Sequence, residues 1–313
     1  MPAFASAAWH AEEPNEARGN VNSDTLQFRD VPADDVRLHV ALTGPEKGRL
    51  VILLHGFPEF WYAWRRLLAP LAAGGLRVAA PDQRGYGLSD KPPAIRDYGL
   101  DFLADDVLAL ASALGHERFS VVGHDWGGVI AWQLAARNPE RIERAVILNA
   151  PHPDTVLRHA LRHPMQLLRS TYVAFFQVPV IPEIALRTND FAALVMALTH
   201  SSLPGTFNED DLQRYKEAWS QDRALTSMLN WYRAAATASP CRERIAVPVR
   251  VIWGDKDSAL ERTLAEDGAA RCDHAEVIHI ENATHWMHHE EPTLIEKLVR
   301  EFVAGSGRND EWR

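Results

Sequence analysis

The sequence predicts an α/β protein, with a mostly parallel eight-stranded sheet flanked by helices and a helical segment inserted once. Short apolar runs rich in Val, Ile and Leu alternate with longer amphipathic stretches, the pattern of buried strands with helices on both faces. Between Pro151 and about Pro240 the strand signal vanishes and Leu, Ala, Met and aromatic residues recur at helical spacing. The alternation resumes at Val249, so the insertion is expected to sit over one edge of the sheet as a lid.

In chain order, Leu26 to Val31 and Val36 to Leu42 read as an opening pair of strands. Leu50 to Leu54, Leu76 to Ala80, Phe119 to Val122, Ala145 to Leu148, Val249 to Trp253 and Ala275 to Ile280 read as buried strands. Helical patterns fall near Trp61 to Leu71, Leu100 to Leu114, Gly127 to Arg137 and Pro292 to Val303. The expected organisation is an N-terminal arm at 1–24, a core made of 25–150 and 241–313, and a cap at 151–240. There is no internal repeat, low-complexity tract or heptad series.

A chain of 313 residues, 46% hydrophobic and 24% charged, can bury a substantial core. Its net charge of −9 argues against nucleic acid as a partner, because phosphate binding draws on clustered Lys and Arg. Cys241 and Cys272 read as unpaired thiols of a reducing compartment. No apolar run approaches the roughly twenty residues of a membrane span, and the first residues lack a signal-peptide pattern, so the expected location is cytoplasmic.

The chemistry centres on Gly123-His124-Asp125-Trp126-Gly127-Gly128, at the end of a strand and the start of a helix. Glycines two residues either side of Asp125 give the spacing of a nucleophile elbow, where a sharp turn crowds its neighbours. The competing reading is an ordinary turn with Asp125 as helix N-cap. No Gly-x-Ser-x-Gly occurs. A carboxylate suits displacement at saturated carbon, because the ester it forms can be cleaved by water, whereas serine would leave a stable ether. Asp125 therefore points to epoxides or alkyl halides.

With these residues in place, the chain resembles the epoxide hydrolase family of the α/β-hydrolase superfamily. The matching stretches are His55-Gly56-Phe57-Pro58-Glu59 with Trp61 and Trp64, Pro81 to Ser89, Gly123 to Gly128, Gly254-Asp255-Lys256-Asp257, and His285-Trp286 with Glu291-Pro292. They run in order from about residue 25 to residue 303. The resemblance implies the α/β-hydrolase fold with a helical cap, and a detoxifying hydrolase that needs no cofactor or metal. It places the acid on Asp257, with Asp255 as rival, and the base on His285. It assigns the oxyanion hole to the backbone N–H groups of Phe57 and Trp126, and expects a cis bond between Phe57 and Pro58. His288, His289 and Glu290 lack the order of a zinc helix and are expected on the solvated start of the last helix.

An epoxide leaves as a tethered alkoxide that must receive hydrogen bonds or a proton, which a departing halide does not need. The resemblance supplies two lid tyrosines for this. Tyr172 lies in a Tyr-x-x-x-Phe-Gln-x-Pro stretch and Tyr232 in Asn230-Trp231-Tyr232-Arg233, where Ala234 replaces the Asn common in the family. Phe175, Phe176, Leu194, Met196 and Trp231 suggest an apolar pocket. The expected substrates are a small apolar epoxide and water. A dehalogenase built on Asp125, Asp257 and His285 is the alternative, although Trp126 stands where a fluoroacetate-type enzyme has Arg. A noncatalytic binding protein is disfavoured by the intact triad.

Overall fold

The computed structural model describes residues 26–162, 164–235 and 243–305. The expected arm at 1–24, Cys241 and the 240/241 boundary lie outside the described residues. Eight strands form one sheet: β1 (Gln27–Ala33), β2 (Val36–Thr43), β3 (Leu50–Leu54), β4 (Arg77–Pro81), β5 (Phe119–His124), β6 (Ile142–Leu148), β7 (Val249–Gly254) and β8 (Ala275–Ile280). Their spatial order is β1-β2-β4-β3-β5-β6-β7-β8. β2 runs antiparallel to both β1 and β4, and β4, β3 and β5 to β8 are mutually parallel. This is the α/β-hydrolase architecture, and its parallel centre needs cover on both faces.

Twelve α-helices are described: α1 (Leu68–Ala73), α2 (Leu100–Ala113), α3 (Trp126–Arg137), α4 (Pro153–Arg162), α5 (Pro164–Arg169), α6 (Thr171–Phe176), α7 (Ile181–Ser201), α8 (Glu209–Trp219), α9 (Ala224–Ala235), α10 (Leu264–Ala269), α11 (Met287–Glu290) and α12 (Pro292–Ala304). Strand alternation sorts them. Ile52, Val121, Ile147 and Val251 face a core shared with α2, α3 and α10. Their neighbours Val51, Val122, Val146 and Ile252 face a second core with α1 and α12. Helices α4 to α9 lie between β6 and β7, and α7 breaks at Thr188–Phe191.

The helix expected over Trp61 to Leu71 is instead a 3-10 turn at Trp61–Trp64 followed by α1. A continuous helix would need an N–H from Pro70 to the carbonyl of Arg66, which proline lacks. With the helix restarted at Leu68, Pro70 falls in its first turn, where no N–H partner is required.

Candidate active site

Asp125 sits between β5 and α3 with φ 50° and ψ −119°. That left-handed conformation is costly for a non-glycine residue and is held by its surroundings. A Cβ at Gly123 would lie 2.2 Å from the Gly127 carbonyl oxygen, and one at Gly127 would lie 2.1 Å from that of Leu54. Both glycines are therefore required by backbone contact. The Asp125 side chain makes no capping bond to α3, so the N-cap reading fails. Its Oδ1 instead accepts the backbone N–H of Phe57 at 2.9 Å. The Phe57–Pro58 bond is cis.

The loop after β7 brings Asp257 to His285, whose Nδ1 lies 2.7 Å from Asp257 Oδ2. Asp257 also accepts the N–H groups of Ala259 and Leu260 at 2.8 and 2.9 Å, and the Asn149 side-chain amide at 2.5 Å. Burial would raise its pKa, but the His285 charge and these hydrogen bonds bring it below the usual value. The rival Asp255 is turned away, against His279 at 2.6 Å and Arg262. His285 Nε2 stands 3.8 Å from Asp125 Oδ2. Burial acts to lower the His285 pKa; the charge and hydrogen bond of Asp257, with the charge of Asp125, outweigh it and raise the pKa to about 9.

Asn149 was not singled out in the sequence. It follows β6 with φ 40°, donates to Asp257, and accepts the N–H of Gly254 at 2.9 Å. It ties the ends of β6 and β7 to the acid, and its only sequence signal is a polar residue closing an apolar strand.

Tyr172 on α6 and Tyr232 on α9 meet above the elbow, with ring centroids 5.9 Å apart. Tyr232 packs edge-on to Phe57 at 5.4 Å and to Trp126 at 5.0 Å, and Phe176 closes on it at 5.1 Å. Burial, followed by nearby negative charge including that of Asp125, raises the pKa of both phenols, so they remain protonated donors at neutral pH. Arg233 holds this wall together by donating to the Phe176 carbonyl at 3.0 Å and pairing with Glu183 on α7 at 2.8 Å. Leu194, Phe176 and Trp231 are buried, but Phe175 and Met196 are exposed and do not fit the expected pocket lining. Phe175 is one step from buried Phe176 and so turns about 100° away from it, and Met196, two steps from buried Leu194, turns about 200° away.

His288 and His289 are fully buried on α11, not on the solvated start of the last helix. They surround Glu59, also buried, at 3.2 and 2.6 Å; Tyr215 donates to Glu59 at 2.8 Å and His124 lies 3.2 Å away. The expectation failed because α11 is a separate turn that directs these rings inward before α12 begins. Glu59, His288 and His289 bring three potential ligand atoms within 4.8 Å of one another. The donor set does not suit a metal: Arg65, which can only donate, lies 3.1 Å from His289 Nδ1. The His289 proton therefore sits on Nε2, facing Glu59. A cavity of about 830 Å³ lies elsewhere, lined by Phe28, His39, Trp61, Arg65 and Arg214 among others, and includes neither Asp125 nor His285.

The model of the family described as alpha/beta hydrolase fold matches residues 49–292. The AB hydrolase superfamily protein YfhM of Bacillus subtilis (strain 168) is 45% identical over 284 residues, covering 90% of this chain and 99% of that protein. Epoxide hydrolase 4 of Homo sapiens is 35% identical over 307 residues, covering 96% of this chain and 84% of its own. The chain belongs to the epoxide hydrolase family of the α/β-hydrolase superfamily. A solved Bacillus megaterium epoxide hydrolase in complex with an inhibitor matches this family member with a TM-score of 0.80 and 28% identity, covering 89% of this chain and 100% of that one. Membership of the epoxide hydrolase family makes it a hydrolase. Among the described residues no helix is long and apolar enough to cross a membrane.

Proposed function

We propose that the protein converts apolar epoxides and water to vicinal diols through an ester on Asp125, with α4 to α9 as the cap. The observation that carries this reading is the placing of two protonated phenols, Tyr172 and Tyr232, over the Asp125 carboxylate inside an aromatic wall. An alkoxide formed in such surroundings needs hydrogen-bond donors, and the two phenols supply them.

In the first step Asp125 Oδ2 attacks a ring carbon, the carbon–oxygen bond breaks, and the ring oxygen takes a proton from the tyrosine pair. Esterification removes the Asp125 charge that helps keep His285 protonated. His285 then releases its proton to the site, replacing the one given to the alkoxide, and becomes a neutral base. In the second step it takes a proton from a water beside the ester while the water oxygen attacks the ester carbonyl carbon, His285 Nε2 standing 3.8 Å from Asp125 Oδ2. The oxyanion forms on Oδ1, already bonded to the Phe57 amide, with the Trp126 amide as second donor. Collapse breaks the acyl–oxygen bond, and His285 returns its proton to the leaving diol oxygen.

Single turnover in heavy-oxygen water tests this reading. Label should enter the enzyme first and diol only later; label in first-turnover diol rejects the ester. If a matched alkyl halide alkylates Asp125 far faster than an epoxide, the dehalogenase reading replaces this one.

A further inference from the structure

The described helices α5 to α7 present an apolar stripe to solvent. Met165, Leu168, Phe175, Val178, Ile181 and Ile184 are all exposed, Leu168 at 62% and Ile184 at 61%. Their spacing is three residues, seven, then three throughout, and Tyr172, itself 39% exposed, fills the longer gap. Residues three and four apart share a helix face, as do Met165 with Leu168, Tyr172 with Phe175, and Ile181 with Ile184; Ser170 alone separates α5 from α6, and Val178 lies in the turn between α6 and α7. On α5 the usual amphipathic order is reversed: Gln166 is buried and bonded to the Ala259 carbonyl and the Glu261 amide, while Met165 and Leu168 face outward. Soluble monomers rarely leave a contiguous apolar surface of this kind without a partner for it.

Charge identifies the partner. The whole chain carries a net −9, yet residues 159–187 contain three arginines, Arg162, Arg169 and Arg187, and one acid, Glu183, while Arg158 just before them is paired with Asp154. Glu183 is taken up by Arg233 on α9, and Arg162 and Arg187 are exposed. We infer that the α5–α7 face is a peripheral docking surface for an anionic lipid bilayer. The apolar stripe enters the headgroup and acyl boundary while the arginines meet lipid phosphates and carboxylates. A two-fold contact between copies of the chain would instead set these arginines against one another. Tyr172 lies within the stripe and packs against Tyr232, so this face adjoins the candidate active site.

The test is flotation of the full chain with vesicles of phosphatidylcholine alone, or with about one third phosphatidylserine, at low and high salt. Wild type should float with the phosphatidylserine vesicles at low salt and be released by salt. Leu168→Glu with Ile184→Glu should bind about tenfold less or weaker still, while its melting temperature and its turnover of a water-soluble substrate stay unchanged. Leu168→Met with Ile184→Leu should bind as wild type does. The inference is overturned if wild type stays unbound, binds both vesicle types equally, or binds no better than the glutamate variant. It is also overturned if wild type forms dimers that the glutamate variant abolishes, because the face is then a protein interface. None of these outcomes depends on the reaction the site performs, since binding is read without substrate.

Discussion

Replacing Asp125 by Asn copies the loss of charge that an ester would cause, without changing the shape of the side chain. The His285 ring nitrogen lies 3.8 Å from the Asp125 carboxylate. At an effective dielectric of about 20, a unit pair at that distance interacts by about 4 kcal/mol, or about 3 pKa units. His285 stands at about 9 with both carboxylates charged, so the variant should bring it to about 6. That places the imidazole on the basic side of neutrality only after Asp125 has been neutralised. Histidine ring carbon signals followed by NMR across pH 5 to 10, with His285→Gln to assign the resonance, give both midpoints. The reasoning fails if the wild-type midpoint lies below 7, or if Asp125→Asn moves it by less than about half a unit, because His285 would then be a base before any substrate arrives.

His285→Gln should accumulate the ester, seen by mass spectrometry as added mass on the peptide containing Asp125, because attack by an ionised carboxylate needs no base. Tyr172→Phe or Tyr232→Phe alone should slow ring opening by about ten- to a thousand-fold, and both together should nearly abolish it, measured by stopped-flow alkylation with ester hydrolysis less affected. Asn149→Ala removes a donor from Asp257 and orphans the buried Gly254 N–H, so urea melts should show a loss of about 2 to 4 kcal/mol. Stability should peak near pH 6.5. Buried His124, His152 and His288, lowered from 6.5 to about 4, contribute stability that is lost as pH falls through that interval. Asp106, raised to about 6, opposes them with one proton against three, and the stability from His285 is lost as pH rises from 6.5 through about 9. Urea melts from pH 4.5 to 9 that change in one direction only would contradict this balance.

Much of the fold is legible because its strands are local. Ile52 or Val121 sits in an apolar run too short for a helix, and the elbow glycines declare a contact that admits no side chain. The crossover of β3 and β4 in the sheet is not legible, since strand order depends on which distant segments pair. Within the site, Asp125, Asp257 and His285 lie in motifs whose spacing is fixed by tight turns. Asn149 and Glu59 act across 108 and 230 residues of chain, and neither has a neighbour in sequence that marks its role. The same gap explains the misplacement of His288 and His289: their partner is Glu59, far away in sequence, whereas their own position suggests the solvated start of the last helix.

The Glu59 cluster also answers why a carboxylate, costly to bury, lies at the centre of so apolar a molecule. Apolar packing is non-directional and could not hold His285 with one nitrogen on Asp257 and the other toward Asp125. His124 does this through direction: its Nε2 donates to the His285 carbonyl at 2.9 Å, while its Nδ1 lies 3.2 Å from Glu59. A carbonyl can only accept, so the proton on Nε2 is assigned. Glu59 takes its remaining bonds from His289 on α11 and Tyr215 on α8, while Trp219 on α8 donates to the Pro58 carbonyl at 2.6 Å. One carboxylate thus joins the elbow, the histidine loop and the inserted helices, and each bond fixes an angle that a methyl contact would leave free.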